Sequence, residues 1–188
     1  MSNEPNEPFV GIAEFSSAVV NMAKQAKSLL CQAERGPTDA PPMLVWHCKE
    51  DIALCGMPPP DDNNPAYLVL ARALSDGFAE FGVPRFVSMI VEAYAWQGDE
   101  DDVKPDEILR GELHEKFQRL DPRVSEVITI LTFDMENELH SDMVFYKYDD
   151  AGQPMFQEVV HEDSATDTEA KGAIVDVIQE FRKFCKGF

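Results

Sequence analysis

Positive charge is what this 188-residue sequence has least of: 16 Lys and Arg stand against 35 Asp and Glu, a formal net charge of −19. That balance repels nucleic-acid phosphates and anionic lipid, and no run of the sequence concentrates enough basic residues to offset it. Direct binding to nucleic acid or to a membrane is therefore not expected. Long apolar runs are also missing, since none approaches the roughly 20 residues that span a bilayer. The first residues, Met1-Ser2-Asn3-Glu4-Pro5-Asn6-Glu7-Pro8, lack the basic and apolar stretches of a secretory signal, so the expected location is the cytoplasm. Cysteines are few and scattered (Cys31, Cys48, Cys55, Cys185), with no Cys-x-x-Cys pair. They read as small buried hydrophobes or free thiols rather than a disulfide framework. Neither Gly-x-Gly-x-x-Gly, Gly-x-x-x-x-Gly-Lys-Ser/Thr nor Gly-x-Ser-x-Gly occurs, which removes phosphate-cradling loops and nucleophile elbows.

What is present is enough apolar sequence for a core, 44% hydrophobic and 10% aromatic. The segment 85–96 is apolar at almost every position from Phe86 to Trp96, with one carboxylate, Glu92, past its middle. A strand that apolar must be covered on both faces, which makes it the spine of an antiparallel sheet. A second strand spans 124–133. Hairpins are expected at 43–57 and at 143–160, the latter around Asp149-Asp150-Ala151-Gly152, a strong turn sequence. In the first hairpin the polar triplet Lys49-Glu50-Asp51 centres the turn on Glu50. That register sets Trp46 against Leu54, Cys48 against Ile52 and Cys55 against Val45, and so keeps Cys48 and Cys55 apart.

Helices follow from apolar spacings of three and four residues. Ile12, Phe15, Val19, Met22, Ala26 and Leu29 mark the first, ended by Gly36-Pro37. Asn64 as N-cap and Pro65 at the first position open the second, whose stripe is Tyr67, Leu70, Ala71, Leu74, Phe78 and Phe81. Leu109, Leu113, Phe117 and Leu120 suggest a shorter helix weakened by Gly111, and the capping-box pattern Thr166-Asp167-Thr168-Glu169 precedes a last one carrying Ile174, Ile178, Phe181 and Cys185. The expected fold is α+β, an antiparallel sheet of about five strands with three to four helices packed mainly on one face. Residues 1–10 are expected to form a flexible acidic tail and 11–188 a single domain.

Two constellations bear on chemistry. Glu92 and Glu126 sit within the two confident strands, and adjacent antiparallel strands can bring them onto one face, with Asp134 or Glu158 nearby. Paired carboxylates hold hard cations or divide acid and base roles. The simpler expectation is that both are solvated, because charged side chains are almost never fully buried unless paired. His47, Cys48 and Cys55 have zinc-ligand chemistry, but the set is one ligand short, and strand alternation turns His47 and Cys48 to opposite faces. Neither a metal nor any other cofactor is expected. His114, His140 and His161 read as isolated surface histidines among acidic residues. Phe145, Tyr146, Tyr148 and Phe156 read as hairpin packing rather than a base-stacking platform, since only Lys147 lies among them.

The helix–strand layout is similar to that of many small α+β proteins of bacteria and their phages, a likeness that transfers no residue role. With no catalytic set and a strongly acidic surface, the leading expectation is a non-enzymatic cytoplasmic protein-interaction protein, an adaptor or chaperone-like body with a protein partner, and a homodimer within that class. The alternatives are a carboxylate-based metal-dependent enzyme using Glu92 and Glu126, and an acidic inhibitor that imitates nucleic acid.

Overall fold

The computed structural model describes Phe9 and residues 11–48, 51–61, 63–96, 124–162 and 172–187. Six strands, β1 (Met43–Cys48), β2 (Asp51–Gly56), β3 (Phe86–Trp96), β4 (Val124–Asp134), β5 (Leu139–Tyr148) and β6 (Pro154–Glu162), pair antiparallel in one sheet of order β2-β1-β3-β4-β5-β6. Three helices are described: α1 (Ile12–Glu34), α2 (Ala66–Phe81) and α3 (Ala173–Cys185). The class is α+β, with six strands where about five were expected. The expected helix at 109–120 and the capping box at 166–169 lie outside the described residues.

β3 and β4 form the spine, paired from Phe86 opposite Asp134 to Trp96 opposite Val124. Their near-continuous apolar sequence is explained by cover on both sides. Phe86 and Ile90 of β3, with Val45, Ile128, Ile130 and Val144, pack under Phe15, Val19 and Val20 of α1. Val87, with Leu44, Trp46 and Phe133, packs under Leu70 and Leu74 of α2 and Ile178 and Phe181 of α3. Two of the three helices thus share one face. The N-terminal helix takes the other, because helices on one side alone would leave half of β3 in water.

Local chemistry sets the ends of the elements, not always where the sequence pattern puts them. In the β5–β6 turn Asp149 Oδ1 accepts the Ala151 and Gln153 N–H groups at 2.9 and 2.8 Å, and Gly152 takes φ +75°. α2 is capped by Pro65 rather than Asn64, whose amide oxygen instead accepts from Arg72 at 3.0 Å. β1 and β2 are joined by residues 49–50, with Cys48 opposite Asp51. The register therefore shifts by one from that expected, setting Trp46 against Ala53 and Cys55 against Leu44. Phe9, expected in the tail, packs its ring 5.3 Å from Phe15 and 5.4 Å from His47.

α1 departs most from its pattern. Its buried stripe is Ile12, Phe15, Ser16, Val19, Val20, Ala23, Lys27 and Cys31. Beyond Ala23 the expected Ala26 and Leu29 face water, Leu29 at 65% exposure, while a lysine turns inward.

On the opposite face Trp46 is fully buried, and a Cβ on Gly77 of α2 would stand 2.8 Å from its ring. The helix can approach the sheet this closely only because residue 77 lacks a side chain. Trp46→Ala should cost about 3–5 kcal/mol in urea denaturation, and Gly77→Ala about 1–3 kcal/mol from overpacking. A loss below about 1 kcal/mol for Trp46→Ala would be the response of a surface site.

Candidate functional site

The α1-facing side of the sheet carries two polar clusters beneath the helix. In the first, Glu92 on β3 lies opposite Ile128, and Glu126 on β4 lies opposite Tyr94 and Tyr146. Paired residues point to the same side of a sheet, so the two carboxylates share a face as diagonal neighbours, with Cα atoms roughly 7–8 Å apart. The expected pairing of faces is therefore present, but Glu92 is not solvated. Its side chain is 11% exposed and its Oε2 accepts from Lys27 Nζ of α1 at 2.6 Å, with the lysine side chain 1% exposed. Lys27 also donates to the Thr38 carbonyl at 2.7 Å, and its ammonium lies 5.0 Å from the Tyr146 ring centre and 5.6 Å from that of Tyr148. The Tyr146 hydroxyl donates to Glu92 Oε2 at 3.3 Å. Asp134 and Glu158 do not join: Asp134 Oδ1 ties the 135–138 turn through the Glu136, Asn137 and Glu138 N–H groups, and Glu158 is exposed.

The electrostatics follow from that contact. Burial raises the Glu92 pKa above its usual 4.5, with Lys27 opposing incompletely. Burial lowers that of Lys27, but its bond to Glu92 and its contact with Tyr148 outweigh this, and the net shift is upward from 10.5. Burial, with the charges of Glu92 and Glu126, pushes the Tyr146 phenol far above its ordinary range, so it stays a donor. The lysine ammonium thus occupies Glu92 Oε2, an oxygen that a carboxylate-bound ion would have to compete for.

His47, Cys48 and Cys55 are not brought together. His47 is buried on the α1 face, its ring stacked 5.6 Å from Phe86 and tilted 5.3 Å from Phe15. Cys48 and Cys55 lie on the opposite face, and the pairing of Cys55 with Leu44 puts them four residues, roughly 13 Å, apart along the strand. All the cysteines are free. Burial lifts both thiols above their usual range, with Asp51 adding to the shift at Cys48 and Glu80 at Cys55, the reverse of what a metal-binding or nucleophilic thiolate needs.

The second cluster was missed by the sequence pattern. His140 and His161, expected as isolated surface residues, converge on Asp142, which is fully buried. His140 Nε2 lies 3.3 Å from Asp142 Oδ1, and His161 Nδ1 contacts the same oxygen. The other oxygen, Oδ2, accepts from Ser16 Oγ of α1. Ser16 in turn lies 3.0 Å from Thr132 Oγ1, and Thr132 2.7 Å from Ser88 Oγ, a chain of hydroxyls leading to the carboxylate. The register explains the convergence. From the turn, Tyr148 pairs with Pro154 and Tyr146 with Phe156, a count that carried onward would set His161 against Ser141 and turn it to the other face. A bulge in β6 beyond Phe156 adds one residue, so that Val144 pairs with Val159 and Asp142 with His161. Bulges re-aim side chains in this way. A turn sequence gives no signal of one, so the pattern His140-x-Asp142 with a histidine across the hairpin is visible only once the bulge is known. His114 lies outside the described residues.

On the opposite face a groove of about 540 Å³ runs between α2 and α3, lined by Tyr67, Ala71, Leu74, Val177, Phe181 and Phe184, with Asp176 and Glu180 also on its wall. Tyr67 and Phe184 are 39% and 50% exposed. α3 is held in place by the buried Arg182, whose Nε and Nη2 donate to the Asp134 and Glu138 carbonyls, each at 2.7 Å. No helix among the described residues is long and apolar enough to cross a membrane. Compared with protein-family models, curated proteins and solved structures, the chain finds no match.

The Lys27–Glu92 pair gives a direct test. Lys27→Met and Glu92→Gln should each cost about 3–5 kcal/mol, because either leaves a buried charge without its partner. The double variant should cost clearly less than the sum of the two, the signature of contact. Both folded pKa values are raised. The contribution of Glu92 protonation is thus present below its unfolded value and lost as pH rises through the folded one; that of Lys27 persists through neutral pH and is lost as pH rises through its own folded value. In Lys27→Met the Glu92 carboxyl, followed by carbon-13 NMR, should titrate at a still higher pH than in wild type; an unchanged or lower midpoint would contradict the pair.

Proposed function

We propose that this protein acts by binding another protein rather than by catalysis, through the groove between α2 and α3. The occupant we assign is an amphipathic helix of a different protein that carries basic residues beside its apolar face. The observation that carries this reading is the groove itself, apolar at its base, with half-exposed Tyr67 and Phe184 at hand and acidic Asp176 and Glu180 along one wall. A groove of this kind takes the i, i+3, i+4 and i+7 side chains of one helix face. A chain carrying −19 overall adds long-range attraction for a basic ligand and repulsion against a second copy of itself. The same charge opposes nucleic acid and anionic membrane as partners. The proposed setting is the cytoplasm, in keeping with four thiols that are all free.

The test uses synthetic amphipathic helices that share one apolar face and differ only in flanking charge. Basic-flanked peptides should bind the full chain more tightly than acidic-flanked ones and should weaken as salt rises. Phe184→Asp should weaken binding at least about tenfold, as loss of an aromatic anchor does, while Leu29→Asp, on exposed α1 surface, should leave it unchanged. Equal binding by Phe184→Asp, or no preference for basic peptides, would overturn the reading. So would a dimer in sedimentation that Phe184→Asp dissociates, since that assigns the face to a second copy.

A further inference from the structure

We infer that His140, Asp142 and His161 form a binding site for one divalent transition-metal ion of the zinc class, built on the β5–β6 hairpin and braced from above by α1. This site is separate from the groove, which lies on the other face of the sheet. Among the described residues it is the place where three metal-ligating side chains bring a donor atom each within 4.8 Å of one another.

Three features make it a built site rather than a chance meeting of polar groups. The first is backbone placement. His140 and Asp142 are two residues apart on β5 and so share a face, and the bulge in β6 sets His161 directly across from Asp142 on that same face. The second is donor geometry. Metal bonds of about 2.0–2.1 Å to imidazole nitrogen and carboxylate oxygen place tetrahedral donors about 3.3–3.4 Å apart. His140 Nε2 already lies 3.3 Å from Asp142 Oδ1, while the half-exposed His161 ring, in direct contact with that oxygen, has to draw back to admit an ion. The third is support around the donors. Asp142 Oδ2 is held by Ser16 Oγ, which rests against Thr132 and Ser88, leaving Oδ1 turned toward the two imidazoles. Such outer contacts orient ligands and tune affinity.

The donor chemistry selects the ion. Two imidazoles and one carboxylate suit zinc, cobalt, nickel or ferrous iron, whereas Mg²⁺ and Ca²⁺ prefer all-oxygen sets. Three protein donors leave at least one coordination position for water or an outside ligand. The His161 side chain is 53% exposed, which gives an ion a route in from solvent and lets the ring adjust to it, while Asp142 and His140 are 1% and 12% exposed. The structural consequence is a clamp: the ion would join β5 to the edge strand β6 under a helix already tied to the same carboxylate.

The experiment is Zn²⁺ titration of the full chain by calorimetry after chelator treatment and desalting, with Co²⁺ as the spectroscopic probe. One Zn²⁺ per chain should bind and raise the melting temperature, and Co²⁺ should give visible bands of nitrogen and oxygen ligation without a thiolate charge-transfer band. His161→Ala, at a half-exposed position, should keep the wild-type circular dichroism yet lose at least about tenfold in affinity, and Ser16→Ala should lose about 10–100-fold through the released carboxylate. Because Asp142 is fully buried, Asp142→Asn is read only for whether the folded fraction still binds; loss of binding there supports the site. Absence of binding by wild type up to millimolar Zn²⁺ would overturn the proposal. So would undiminished affinity in His161→Ala, or a cobalt–thiolate band, since these place the ion on acidic surface or on cysteine.

Discussion

The arrangement of this protein depends on one constraint: α1 must cover a sheet face that carries two buried carboxylates, Glu92 and Asp142. The helix supplies a specific partner for each, Lys27 for Glu92 and Ser16 for Asp142. These partners are 11 residues apart, close to three helical turns and about 16 Å at 1.5 Å per residue, so both point down from one face of the helix. Sliding α1 by a single turn, about 5.4 Å, would leave both carboxylates buried without them. Apolar contacts such as those of Val19 and Val20 hold the helix on the sheet but are tolerant of position. The polar contacts specify where it sits. A buried ion pair is often no better for net stability than an apolar replacement, and its value here lies in that single placement.

The two faces of the sheet therefore differ in kind. Under α1 the packing is interrupted by hydroxyls, carboxylates, imidazoles and phenols, among which Ser16, Asp142, Thr132, Ser88, Lys27, Glu92 and Tyr146 pair with one another. Under α2 and α3 it is almost wholly apolar, close enough at Gly77 that the helix touches the Trp46 ring, and it opens outward into the groove at Phe184. Arg182 connects the layers at one end, fixing α3 to the β4–β5 turn through two carbonyls. The groove is thus framed by a helix whose position is set by hydrogen bonds as well as by apolar contact, so its shape is preformed.

Much of this was legible in the sequence, for reasons that particular residues make clear. The near-continuous apolar run of β3 announced a strand covered on both sides, and Asp149 to Gly152 announced the hairpin by turn chemistry alone. The shared face of Glu92 and Glu126 followed from strand pairing. What was not legible depended on partners distant in the chain. Lys27 breaks an apolar stripe and reads as surface until Glu92, 65 residues away, is seen beneath it. The β1–β2 register moved by one residue because a two-residue connection replaced the expected three-residue turn, a difference that polar loop residues do not encode. His161 lies on the Asp142 face only because β6 carries a bulge, and one inserted residue reverses every side chain beyond it.

Native-state hydrogen exchange on the Ser16→Ala/Lys27→Met double variant tests the central claim most directly, because it reports the opening of each layer separately. With both polar ties removed, the amides of α1 should lose protection along the whole helix, while those of α2 and α3 on the other face should change far less. Unchanged protection in α1 would contradict the account, as would an equal loss in all three helices, since either result would mean that apolar packing alone sets the place of α1.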